Sequence, residues 1–175
     1  MRIESDAVIK FPRALTYRTY RDDMPKFVPY LPNVRDIAVR ERSEEDGVVR
    51  LVNIWQGGGE IPVAIRPLLR DSMLSWTDYA TWDPDAWTCA WRIETHSFTE
   101  AVRCSGTNRF IEIDASRTRL EIRGELSIQL RKVRGVPAFL AGPLGRTVEQ
   151  FMVKQITTNL TTVSQGLSKY LEEHA

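Results

Sequence analysis

The chain has 175 residues, 42% of them hydrophobic, and a formal net charge of +1, from which we expect a single domain over residues 1–175 that buries about two thirds of its unfolded surface. So small a net charge gives no general attraction to nucleic acid or acidic lipid, and any electrostatic preference has to be local. Two cysteines and two histidines offer no zinc-spaced cluster, and no apolar run reaches the roughly eighteen residues that a membrane span requires.

Arg2 to Phe11 alternate, with Ile3, Ser5, Ala7 and Ile9 on one side, which predicts a half-buried strand. This opening is not a basic-then-apolar leader, so the expected compartment is cytoplasmic. Pro12 suits the first turn of a helix, and RALTYRTYRDD continues it to Pro25. PKFVPYL adds a second short helix before Pro32 and Asn33. Val34 to Arg42 and Val48 to Gln56 follow as strands joined by a turn with Asp46-Gly47 at its tip, a strong hairpin signal. Leu74 to Trp82, Trp87 to Glu94, Ala101 to Ile113 and Arg119 to Leu130 complete seven strands, with DPDA and DASR as turns.

Side-chain alternation assigns the faces. The inner face collects Val49, Leu51, Asn53 and Trp55, then Leu74, Trp76, Asp78, Ala80 and Trp82. Trp87, Cys89, Trp91 and Ile93 follow, with Val102, Cys104, Gly106, Asn108 and Phe110, and finally Leu120, Ile122, Gly124, Leu126, Ile128 and Leu130. A fold-back centred near His96 and Ser97 places Cys89 opposite Cys104, Trp91 opposite Val102, and Trp87 over Gly106. A cross-strand disulfide is then conceivable only in an oxidising setting. The arginines Arg103, Arg109, Arg119 and Arg123 fall outside, interleaved with Glu121 and Glu125. That pattern reads as a solvated charged face rather than a nucleic-acid surface.

Leu144 to Glu173 carries apolar residues three and four apart, from Leu144 through Val148, Phe151, Met152, Ile156, Leu160, Val163 and Leu167 to Tyr170 and Leu171. This predicts a helix of about eight turns with one apolar stripe, and the sheet is its natural partner. The result is an α+β helix-grip fold, a seven-stranded curved antiparallel sheet wrapped around a long C-terminal helix, with two short helices after the first strand.

That order of elements, together with Met24-Pro25-Lys26-Phe27-Val28-Pro29-Tyr30-Leu31-Pro32-Asn33-Val34, resembles the START-like (SRPBCC) superfamily. The segment is similar to the Y-P-x-F-[LV]-P-W run of its polyketide cyclase and coenzyme Q-binding branch, with Met24 and Tyr30 in place of the usual aromatic and tryptophan. The resemblance implies a cavity between sheet and helix for a hydrophobic small molecule or lipid, and no cofactor. It also implies that two loops lie at the cavity entrance. One carries Ile61, Ile65, Arg66 and Leu68; the other carries Arg134, Phe139 and Leu140. Apolar residues beside cations suit either a lid that buries its own side chains or transient contact with an anionic membrane surface.

Asn53, Asp78 and Asn108 interrupt the apolar inner face, and Gln155 and Asn159 interrupt the stripe of the helix. Buried polar groups need partners, which a ligand, water, the backbone or one another can supply. Trp55, Trp76, Trp87, Trp91 and Phe110 add apolar area for either a ligand or a plain core. Asp78 is the one internal acid-base candidate, since His96 and His174 lie outside. The expected function is binding of a hydrophobic small molecule or lipid, with transport as its extension. The alternatives are a polyketide aromatase or cyclase using Asp78, and a ligand-free protein-interaction module.

Overall fold

The computed structural model describes residues 1–129 and 142–175. Its elements are β1 (Arg2–Ile9), α1 (Arg13–Asp23), a 3-10 helix (Met24–Tyr30), β2 (Val34–Glu45) and β3 (Val48–Gly57). After two short 3-10 turns come β4 (Ser75–Asp83), β5 (Thr88–Thr95), β6 (Val102–Asp114), β7 (Arg117–Ile128) and α2 (Pro143–His174). All seven strands pair antiparallel in one sheet of order β1-β7-β6-β5-β4-β3-β2. The helix-grip architecture expected from the sequence is the one found, including the two short helices after β1.

The turns form for local reasons. Asp46 and Gly47 both adopt positive φ, 51° and 80°, which suits the twist of a tight hairpin. At the β4–β5 turn the Asp83 carboxylate accepts hydrogen bonds from the amides of Asp85 and Ala86 at 2.9 and 3.1 Å. Trp87 then adopts φ 54° and closes the turn, so it lies outside β5 and not on the strand as expected.

The fold-back between β5 and β6 also differs. Ile93 faces Cys104, Trp91 faces Gly106 and Cys89 faces Asn108. The connection is longer than expected because Thr99 Oγ1 donates to the Thr95 carbonyl and the Ala101 amide to the Phe98 carbonyl. The slip is four residues. Four is even, so every side chain stays on its assigned face. The two cysteines are consequently not paired across the strands; both are free and buried.

Arg92 lies outside, over the Tyr79 ring at 4.2 Å and 3.1 Å from Glu94. Of the outer arginines, Arg119 pairs with Glu121 and Arg123 with Asp6.

The helix α2 has 32 residues and buries Val148, Phe151, Met152, Asn159, Val163, Ser164, Leu167 and Leu171 among others. Its C-terminal half is held close. Gly166 sits so near Leu31 that an added Cβ would meet Leu31 Cδ2 at 2.8 Å, Tyr170 packs on Phe27 with centroids 5.3 Å apart, and Tyr30 donates to the Glu173 carboxylate. The backbone of α2 comes closest to β1, β7 and the Met24–Tyr30 helix, leaving its central part across from β3, β4 and β5. Among the described residues no helix is long and apolar enough to cross a membrane.

The indole of Trp91 packs against Gly106 and Gly124, which face each other on β6 and β7. A Cβ on Gly106 would stand 2.4 Å from Trp91 Cζ2 and 2.3 Å from the Arg123 carbonyl oxygen. One of these is backbone and cannot yield. Gly106→Ala is therefore expected to lower unfolding free energy by about 2–4 kcal/mol, as overpacking of a core does at its upper end, read by urea denaturation; a loss under about 0.5 kcal/mol would contradict this packing.

Candidate functional site

Inward-facing residues of β3, β4, β5 and β6 meet the middle of α2 around a cavity of about 50 Å³. Its walls are Trp55, Trp76, Asp78, Ala80, Trp82, Cys89, Trp91, Ile93 and Asn108 from these strands, Ile122 from β7, and Ile156, Asn159, Leu160 and Val163 from α2. Tyr20 and Met24 close one end. A second chamber of about 40 Å³ adjoins it, lined by Gly57, Gly58, Met73, Leu74, Thr95, Met152 and Gln155 among others. Trp76, Ile156 and Asn159 border both spaces and form the partition between them.

The polar residues divide into two groups. Asn108 is satisfied: its Oδ1 accepts from Trp91 Nε1 at 2.9 Å and its Nδ2 donates to the Tyr20 hydroxyl at 3.3 Å. It therefore ties β5, β6 and α1 together. Asn53 donates from Nδ2 to Asp78 Oδ2 at 3.1 Å across the β3–β4 pair. Among the described residues that line the two chambers, five atoms are buried without a hydrogen-bond partner: Asn159 Oδ1, Gln155 Oε1, Thr95 Oγ1 and the indole nitrogens of Trp55 and Trp82. Each lost hydrogen bond of this kind costs about 1–3 kcal/mol.

Asp78 is 8% exposed. Burial pushes its carboxyl up to about 6, a rise that the Asn53 amide and the nearby Trp55 indole N–H hold back. That indole lies within electrostatic reach but outside hydrogen-bond geometry. Burial also raises the Tyr20 hydroxyl and the Cys89 thiol, and it takes Cys104 up to about 12. All three are neutral near pH 7. Among the described residues that line the two chambers there is no lysine, arginine or histidine.

The expected cavity residues Trp55, Trp76, Asp78, Trp91, Asn108 and Asn159 line the first chamber, Gln155 lines the second, and Asn53 stands behind Asp78. Two expectations fail. Trp87 packs edge-on against Tyr17 at 5.3 Å beneath the Arg13 guanidinium at 4.3 Å, away from the cavity. Phe110 faces inward but is taken up by a cluster with Tyr17, Tyr20 and Trp82, centroids 5.1 to 5.9 Å apart. Tyr20 and Met24 line the cavity without having been among the expected residues. The spacing of Tyr20 from Tyr17 and Met24 along one helical face was the available signal.

The entrance loops fare unequally. Ile61 and Ile65 are buried, Leu68 is half-buried, and Arg66 turns back to the Ile61 carbonyl at 3.0 Å. None of the four borders either chamber. Met73 and Leu74, at the far end of that loop, do so instead. This segment covers its own apolar residues, as a lid does; Val63 is its exposed exception, at 73%. Arg134, Phe139 and Leu140 lie outside the described residues.

The architecture is the helix-grip fold, and solved structures with this fold superpose along nearly the whole chain. An aromatase/cyclase from Streptomyces sp. R1128 is 17% identical, with TM-score 0.62 over 98% of this chain and 95% of its own. A truncated norcoclaurine synthase from Thalictrum flavum is 13% identical, with TM-score 0.63 over 100% and 95%. A START superfamily protein from Mycobacterium smegmatis is 11% identical, with TM-score 0.52 over 99% of both. No protein-family model matches the sequence, and no curated protein matches it. The likeness is one of fold.

The buried carboxyl gives a stability signature. Its folded-state pKa of about 6 lies above the unfolded 3.8, so the folded state holds the proton more tightly. Stability contributed by Asp78 is present below about pH 4 and is lost as pH rises to about 6. At about 1.4 kcal/mol per pKa unit the loss is about 3 kcal/mol. Urea denaturation of wild type and Asp78→Asn should show the variant gaining roughly that much on the wild type between pH 4 and pH 7; parallel pH curves would exclude the raised carboxyl.

Proposed function

We propose that this chain binds a small hydrophobic molecule between α2 and the concave face of β3 to β6. The observation that carries the reading is the cavity itself. It is apolar over most of its wall yet presents buried polar atoms of Asn159, Gln155 and Trp55 without partners. A sealed core would lose stability for each of them. An occupant offering hydrogen bonds at those points recovers the loss, and a few ordered waters can do so while the site is empty.

Size limits the occupant. The two chambers, about 50 and 40 Å³, are each smaller than the roughly 150 Å³ cavity that holds benzene in an engineered core. Joined by a turn of Trp76, Ile156 or Asn159 they reach about 90 Å³, so even a single ring requires neighbouring side chains to move outward. This supports a compact ring system over a long-chain lipid, and neither transport nor membrane contact gains from the described loop.

A second reading gives Asp78 a chemical role. A carboxyl raised to about 6 is poised to give or take a proton near neutral pH, as general acid-base catalysis requires. The similar structures from Streptomyces and Thalictrum carry enzyme names, aromatase/cyclase and norcoclaurine synthase. Here that chemistry would fall to Asp78 with Asn53 holding one oxygen, while Tyr20 supplies a neutral hydroxyl at the cavity end.

Filling the cavity separates occupancy from fold. Toluene, titrated against the 15N-labelled protein and followed by NMR, should bind the wild type saturably. Ala80→Leu, which grows a side chain into the first chamber, should weaken that binding at least tenfold while changing Tm by no more than a few degrees. Equal binding by the two proteins would place the probe elsewhere and remove the proposal.

A further inference from the structure

The chemistry of the cavity wall narrows the class of occupant. Taking the binding reading as given, we propose that the cavity selects an uncharged ring compound carrying a hydroxyl group and turns away carboxylates and phosphates. Three groups line the same space from the sheet and the helix: the carboxyl of Asp78 on β4, whose Oδ2 accepts from Asn53, the unpartnered indole N–H of Trp55 on β3, and the unpartnered carboxamide oxygen of Asn159 on α2. Two of them accept and one donates. A hydroxyl has one proton to give and lone pairs to receive, so it can donate to Asp78 or Asn159 Oδ1 while accepting from Trp55 Nε1. A pure hydrocarbon leaves all three unanswered.

Charge decides the other half. A carboxylate or phosphate entering this space meets the Asp78 carboxylate in a low-dielectric cavity, and among the described lining residues no lysine, arginine or histidine offsets it. Desolvating an anion without a cation is costly. The satisfied state of Asn108, whose amide is committed to Trp91 and Tyr20, leaves it unable to take over the role of Asn159 without breaking the tie between β5, β6 and α1.

The selection depends on pH. The groups that face Asp78 are Asn53 and Trp55 from β3, Cys89 and Ile93 from β5, Cys104 from β6, Tyr20 from α1 and Asn159 from α2. The two thiols and the phenol are neutral through the acidic range at their ordinary values, and burial raises all three further. Only the aspartate changes state there. A donated hydrogen bond to its ionised form is lost as pH falls through about 6, so hydroxyl recognition weakens in acid while hydrocarbon binding does not.

Phenol, toluene and benzoate share a ring and differ at one substituent, and NMR titration of the 15N-labelled protein at pH 7.5 compares them directly. Phenol is expected to bind at least as tightly as toluene, despite its greater affinity for water, and benzoate at least tenfold more weakly than phenol. Asp78→Asn should weaken phenol about tenfold, the worth of a hydrogen bond to a charged group, leave toluene within twofold and admit benzoate. If that variant does not fold, Asn159→Leu serves, with phenol losing its parity with toluene. If toluene binds but phenol binds more weakly, or benzoate comes within tenfold of phenol, the selectivity is wrong and the cavity reading stands. If none of the three binds, the cavity reading fails and the selectivity with it.

Discussion

A straight helix laid across a curved sheet cannot touch all of it, and this mismatch is the constraint on which the molecule depends. Here α2 is fixed at its C-terminal half by Gly166 against Leu31, by Tyr170 on Phe27 and by the Tyr30–Glu173 hydrogen bond. It comes nearest to β1 and β7. The middle strands are left facing its central turns across a gap. Large side chains fill most of that gap, with Trp55 stacked on Trp76 at 5.6 Å and Trp91 packed against two glycines. What they do not fill is the space in front of Asp78 and Asn159.

The polar residues at that space show how the interior is divided between structure and site. Asn108 and Asn53 spend their amides on neighbours and so specify strand and helix positions. Asn159, Gln155 and Trp55 keep polar atoms unspent. A fold that needed only stability would place leucine at 159, since buried carboxamides without partners destabilise. The unspent atoms are best accounted for by an occupant, and in the first chamber the Asp78 carboxyl and the Asn159 carboxamide oxygen as acceptors, beside the Trp55 N–H as donor, limit what that occupant is.

Much of this was legible in the sequence because strands have a period of two. Parity alone placed Asn53, Trp55, Asp78, Trp91 and Asn108 inside, and it survived the error at the β5–β6 hairpin because a four-residue slip preserves faces. Parity does not report where an element stops, so it extends β5 through Trp87, which the Asp83 turn claims instead. Nor does it say what sits above an inward residue. Phe110 is inward but covered by Tyr17 and Tyr20, both delivered by α1, whose docking no local pattern encodes. Whether Asn108 or Asn159 lacked a partner could be decided only in three dimensions. The family resemblance placed Ile61, Ile65, Arg66 and Leu68 at an entrance, whereas Met73 and Leu74 reach the chamber from the end of the same loop.

Fold likeness to an aromatase/cyclase and to norcoclaurine synthase at 17% and 13% identity leaves binding and catalysis on equal terms, and both require that the cavity be occupied in the cell. Native mass spectrometry of the protein purified from its own host addresses that requirement most directly. The account predicts a co-purifying adduct of constant, low mass that contains a ring and a hydroxyl group and that disappears from the Ala80→Leu protein. Repeated isolation of the bare chain, or an adduct retained unchanged when the cavity is filled, would contradict it.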